Sequence, residues 1–131
     1  MSEHEQDAPL PQGTLALQVT ALPRDTNGFG DIYGGWLVSQ MDLAGSATAS
    51  RIAQGRVATV SIDRMAFMVP VAVGAQLSFH THVLELGRSS MRLLVEVWSD
   101  DCLGGLRKVT EAVFVFVAID DGGRTRALPR R

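Results

Sequence analysis

At 131 residues and 46% hydrophobic composition, the chain has the size of one domain and enough apolar material for a core without disulfide or metal staples. Its net charge of −2 leaves no basic footprint for nucleic acid or an anionic membrane surface. Cys102 is the single cysteine, which excludes an internal disulfide and any multi-cysteine metal centre.

The first 13 residues, MSEHEQDAPLPQG, are polar and acidic and read as a flexible tail ahead of a single domain over 14–131. They lack the cationic start and apolar run of a signal peptide, so a cytoplasmic location is expected. TLALQVT (14–20) reads as a short strand, and the Pro-, Asn- and Gly-rich stretch 22–31 as a loop. A long helix fits Gly35 to Ala53, with Gly55 placed as its left-handed stop. Ser39, Gln40 and Asp42 near its centre make it a poor membrane span.

Strand patterns follow. VATVSIDRMAF (57–67) is β-branched and apolar, and Pro70 with Val73-Gly74 marks a turn. QLSFHTHVLEL (76–86) and SMRLLVEVW (90–98) alternate, with Leu77, Phe79 and Val83, and Met91, Leu93, Val95 and Val97, on their apolar faces. After a turn at Gly104-Gly105, RKVTEAVFVFVAI (107–119) is apolar on both faces, as befits a strand inside a sheet. Short links favour antiparallel pairing, and one helix on one such sheet is an α+β arrangement. The helix is apolar nearly all round, so the sheet is expected to wrap it while a second subunit closes the rest.

Asp42 is the only charged residue between Ile32 and Ser50. Its helical neighbours are Val38, Ser39, Gly45 and Ser46, mostly small, and no Lys or Arg lies within a turn. An ionised carboxylate is costly to bury without a partner, and space beside it suits a water or a substrate. A structural role, capping a backbone N–H or meeting an arginine across the fold, is the competing explanation. At the helix start, Gly34-Gly35 offers unpaired N–H groups at the positive end of the dipole, the makings of an oxyanion hole. Tight packing at a turn is the alternative there.

The runs DTNGFGDIYGGWLVSQMDLAG, GRVATVSIDRMAFMVPVAVG and TEAVFVFVAIDDGGRTRALP closely resemble the hotdog-fold acyl-CoA thioesterases of the bacterial YciA type, over roughly residues 14–129. The resemblance implies a long central helix wrapped by a five-stranded antiparallel sheet. It also implies homodimers with two sites at the interface, which often assemble into hexamers. The implied reaction is hydrolysis of acyl-CoA to free acid and CoA, with no metal or organic cofactor. Carried over by position, Asp42 is the catalytic acid, as general base or nucleophile, and Gly35 the backbone donor to the thioester carbonyl, with Gly34 beside it. Asn27 and Asp31 lie in a loop that reaches the site from the partner subunit. Tyr33, Ala66 and Met68 depart from the common pattern, which bears on chain length more than on the reaction.

CoA carries phosphates, so cationic and hydroxyl groups are candidate holders: Arg64, and the turn Arg88-Ser89-Ser90. For each arginine, an ordinary surface charge is the alternative. Ser61 is a further candidate lining residue. His80 and His82 form an HxH pair without a third ligand, so no metal is expected. Glu111 is read as a structural acid bonded to backbone or to Arg107.

Three other functions compete. A hotdog hydratase pairs a His with an acid near the helix, and none lies between His4 and His80. A non-catalytic acyl-CoA sensor needs no Asp42 and usually carries a DNA-binding segment, for which a short acidic tail leaves no room. A purely structural dimer leaves the gap around Asp42 unexplained. The acyl chain length, the pathway and the choice between dimer and hexamer are open from the sequence.

Overall fold

Alternation in the strands and small residues along the helix let all the elements meet around one core. The computed structural model describes residues 10–67, 69–100 and 105–130, so the expectations for residues 1–9, Met68, Cys102 and Gly104 lie outside the described residues. Strand β1 (Thr14–Thr20) leads through a 3-10 turn (Pro23–Asp25) to helix α1 (Gly34–Ala53). Strands β2 (Val57–Phe67), β3 (Gln76–Leu86), β4 (Ser90–Asp100) and β5 (Leu106–Ala118) follow. They form one five-stranded sheet in the order β1-β3-β4-β5-β2, antiparallel throughout. The connection through α1 therefore crosses the sheet from one edge to the other, and α1 touches all five strands. No described helix is long and apolar enough to cross a membrane.

The core follows from the alternation. Leu77 and Phe79 of β3, Leu93, Val95 and Val97 of β4, and Phe114 and Phe116 of β5 are all buried on the face that meets Leu37, Met41, Ala44 and Ala49 of α1. The two phenylalanine rings stack, with centroids 6.0 Å apart. Helix and sheet approach most closely at Gly45, where a Cβ would stand 2.7 Å from the Phe116 ring. That glycine, counted above as room for a ligand, is spent on helix–sheet packing.

The helix stop also differs from expectation. Gln54 takes the left-handed conformation (φ 54°, ψ 47°), and Gly55 is nearly extended at φ 158°. The bare Cα of Gly55 leaves space for the Arg126 guanidinium, 2.6 Å from where a Cβ would be.

On the face turned away from α1, Glu96 is almost wholly buried, at 1% exposure. Its carboxylate accepts from the Gln12 backbone N–H at 2.6 Å and pairs with Lys108 Nζ at 2.7 Å. Lys108 also binds Glu111, which supplies that acid with a side-chain partner. Burial works to lower the Lys108 pKa, but the hydrogen bonds and charges of Glu111 and Glu96 outweigh it and hold the ammonium above its usual range.

Candidate active site

Asp42 lies on the half-buried side of α1, and its partner comes from β2. Thr59 pairs with Phe116 in the sheet and so shares the face that meets the helix. Its hydroxyl donates to Asp42 Oδ1 at 2.6 Å. The carboxylate therefore neither caps a backbone N–H nor meets an arginine among the described residues. One oxygen is held, and Oδ2 has no partner among the described residues. The sequence reading missed Thr59; the available signal was a polar residue at an inward position of an apolar strand.

Ser61, the serine proposed from sequence, stands opposite Val115 after a bulge that shifts the register beyond Thr59. Val115 lies between the inward Phe114 and Phe116, so Ser61 belongs to the face turned away from the helix.

At the start of α1, Tyr33 is the N-cap but makes no side-chain cap bond, and no acidic residue occupies the first turn. The first N–H groups of the helix are thus available to an anion or a polarised carbonyl. The two glycines divide the work. A Cβ on Gly34 would press on the Phe67 ring at 3.2 Å, so this glycine serves packing. A Cβ on Gly35 would meet only ordinary contacts with Tyr33 at 3.5 Å, so packing does not account for this glycine. Beside it lies a cavity of about 310 Å³, bounded by apolar side chains that include Ile32, Leu37, Phe67 and Val69.

Asn27 and Asp31 sit in the loop just before the helix. The Asn27 side-chain oxygen accepts from the N–H groups of Phe29 at 2.8 Å and Asp31 at 3.1 Å, and the Asn27 N–H donates to the Asp31 carbonyl at 2.7 Å. Both side chains are exposed, at the Gly35 end of the helix. Seven helical steps separate Gly35 from Asp42, roughly 10 Å at 1.5 Å per residue. Within one protomer the backbone donor and the carboxylate cannot touch the same thioester carbonyl.

The structure separates the proposed phosphate holders. Arg64 sits in the irregular part of β2 between Asp63 and Ala66, at φ 58°. The Arg88-Ser89-Ser90 turn lies beside the other end of β5, where the Ala118 N–H donates to the Ser89 carbonyl at 2.9 Å. Along β5 these levels are roughly 17 Å apart, so Arg64 and Arg88 of one protomer do not share one phosphate. His80 Nε2 lies 3.1 Å from Ser78 Oγ, and no group of potential metal ligands forms among the described residues.

The thioesterase superfamily profile matches residues 29–105. The acyl-CoA thioester hydrolase YciA of Escherichia coli is 45% identical over 124 residues, covering 92% of this chain and 94% of that protein. The crystal structure of a hexameric thioesterase from Yersinia pestis superposes with a TM-score of 0.89 at 48% identity, covering 93% of this chain and all of that one. An acyl-CoA hydrolase from Staphylococcus aureus, solved with butyryl-CoA and CoA, has a TM-score of 0.80 at 30% identity, covering 86% of this chain and 70% of that one. Its aspartate-to-alanine and threonine-to-alanine mutants change two residues as far apart in sequence as Asp42 and Thr59. Fold, long helix and extended sequence identity agree: the chain belongs to the thioesterase superfamily, among the hotdog-fold acyl-CoA thioesterases of the YciA type.

Proposed function

We propose that the protein hydrolyses acyl-CoA to the free acid and CoA, at a site completed by a second copy of the chain. The observation that carries this reading is the Asp42 carboxylate, set in an otherwise uncharged stretch of helix and held by Thr59 through one oxygen. The free oxygen takes a proton from a water as that water attacks the thioester carbon. Alternatively it attacks that carbon itself, giving a mixed anhydride that water then opens. In both routes the C–S bond breaks and CoA leaves as a thiolate, which needs little help from an acid. Neither route draws on a cofactor.

Negative charge develops on the carbonyl oxygen, where a preorganised N–H is worth most. The Gly35 N–H is suited to that oxygen, but its separation from Asp42 means that the donor is Gly35 of the partner subunit. The loop with Asn27 and Asp31 then arrives with it. The apolar cavity behind that helix start receives the acyl chain. The minimal active unit is accordingly a dimer, which the hexameric relative suggests is built further into a trimer of dimers.

CoA release from short-, medium- and long-chain acyl-CoAs, wild type beside Asp42→Asn, tests the reading. The variant is expected to lose about 10²–10⁴ in kcat while staying folded and oligomeric. Full activity in Asp42→Asn would refute the mechanism.

A further inference from the structure

We propose that Pro70 and Val71 form a fixed end wall to the acyl cavity and restrict the substrate to acyl chains of up to about twelve carbon atoms. The identity of the occupant rests on the thioesterase reading; the wall itself does not. The segment joining β2 to β3 runs between two cavities. One, of about 310 Å³, lies beside the helix start, and the other, of about 300 Å³, lies against the ends of β4 and β5. Pro70 and Val71 line both. A dry cavity of about 150 Å³ takes benzene, with its six carbons, so at the same filling the first cavity takes about twice as many.

The wall is anchored on both sides. Val71 is buried and belongs to the core, and the ring of Pro70 fixes its φ. Beyond Val71 the chain is tied to Ala21, whose carbonyl accepts from the Gly74 N–H at 2.7 Å and whose N–H donates to the Ala75 carbonyl at 2.9 Å. The Ala75 N–H closes a turn onto the Ala72 carbonyl at 3.1 Å. Ahead of the wall, the Thr110 hydroxyl donates to the Ala66 carbonyl and holds the end of β2. An acyl chain that reaches Val71 therefore meets packed structure, which does not yield as a loose loop would.

The two sides also differ in chemistry. Ile32, Leu37, Phe67 and Val69 face the first cavity, whereas Gln76, Ser99, Asp100 and Arg107 border the second. Each methylene buried on the near side is favourable. A chain end pushed past the wall would instead displace water from amide, hydroxyl and charged groups, which costs free energy. Size and polarity set the same limit.

The test measures kcat/KM for butyryl-, octanoyl-, lauroyl- and palmitoyl-CoA, each below its micelle-forming concentration. Wild type is expected to improve as far as lauroyl-CoA and to fall at palmitoyl-CoA. Val71→Ala breaches the wall and should raise the palmitoyl-to-octanoyl ratio about tenfold. Both substrates meet the same preparation, so a loss of folded protein does not move that ratio. Ala72→Leu, which adds bulk to the second cavity, is expected to change nothing alone and to cancel most of the gain when combined with Val71→Ala. Val69→Phe shortens the first cavity and should move the optimum to octanoyl-CoA or below. A wild type that cleaves palmitoyl-CoA as well as lauroyl-CoA, or a ratio unmoved by Val71→Ala, overturns the proposal. If wild type cleaves none of the series, the thioesterase reading fails, and calorimetric binding of the matching free fatty acids decides the wall. Affinity that stops rising at laurate, and rises on to palmitate in Val71→Ala, supports it; affinity that climbs through palmitate in wild type sinks it.

Discussion

Thr59 and Asp42 come from different elements, and their 2.6 Å hydrogen bond fixes one carboxylate oxygen while the other has no partner among the described residues. A hydrogen bond to a charged group contributes about 1.5–3 kcal/mol, and an aimed base loses rate when its orientation loosens. Thr59→Ala is therefore expected to lower kcat by about tenfold with a smaller effect on KM, and Thr59→Ser to restore much of it. Equal kcat in Thr59→Ala and wild type would remove the threonine from the mechanism. A second residue-scale effect concerns His80, whose pKa is pushed below 6.5 by burial against a weaker opposing pull from the Glu96 charge. The unfolded chain then binds more protons than the folded one as pH falls below 6.5. Stability that rests on neutral His80 is present above that pH and drains away below it. Urea melts across this range should show a falling midpoint, with a shallower fall in His80→Gln; parallel curves would contradict the assignment.

At the scale of elements, the seat of α1 on the sheet depends on a missing side chain. Ala is the better helix former than Gly by about 1 kcal/mol, so propensity alone predicts that Gly45→Ala stabilises. Its Cβ would stand 2.7 Å from the Phe116 ring, which is fully buried and stacked on Phe114, so the ring cannot swing clear at little cost. Overpacking of this kind costs about 1–3 kcal/mol, and the larger end applies to a ring so confined. The expected result is a lower Tm for Gly45→Ala, partly recovered by adding Phe116→Leu. A Tm at or above wild type would show that the helix can lift without loss. Loop and helix are coupled in a related way. The Asn27 side chain ties the loop immediately before the helix, so the loop and the Gly35 N–H are carried as one piece.

For the molecule as a whole, β2 is the edge that matters. It carries Val60, Ile62 and Phe67 at 56%, 42% and 54% exposure, along a strand whose outer backbone groups lack a neighbour in the protomer. Long apolar edges are liabilities unless another strand covers them. A second copy at this edge would do so, and would bring its Gly35 toward Asp42. Val60→Lys should therefore shift the protein to smaller species in size-exclusion chromatography and reduce activity along with assembly. A Val60→Lys variant of unchanged size and activity would rule out this edge as the dimer face.

The sequence by itself determined the elements and the chemistry on offer. Alternation at 76–86 and 90–98 settled which faces were apolar, and a lone charge in an uncharged helix singled out Asp42, because both are short-range patterns of burial and cost. The strand and helix boundaries shifted by only a residue or two in the structure. Tertiary structure decided what those residues meet. Whether Gly45 made room for a ligand or for Phe116, and whether Thr59 or Ser61 faced the helix, turned on a register shift within β2 that local sequence does not record. The return of the C-terminal segment to the β3–β4 turn likewise joins Leu128 to Arg88, residues 40 positions apart in the chain. Pairing across such separations is set by how the whole sheet closes on the helix.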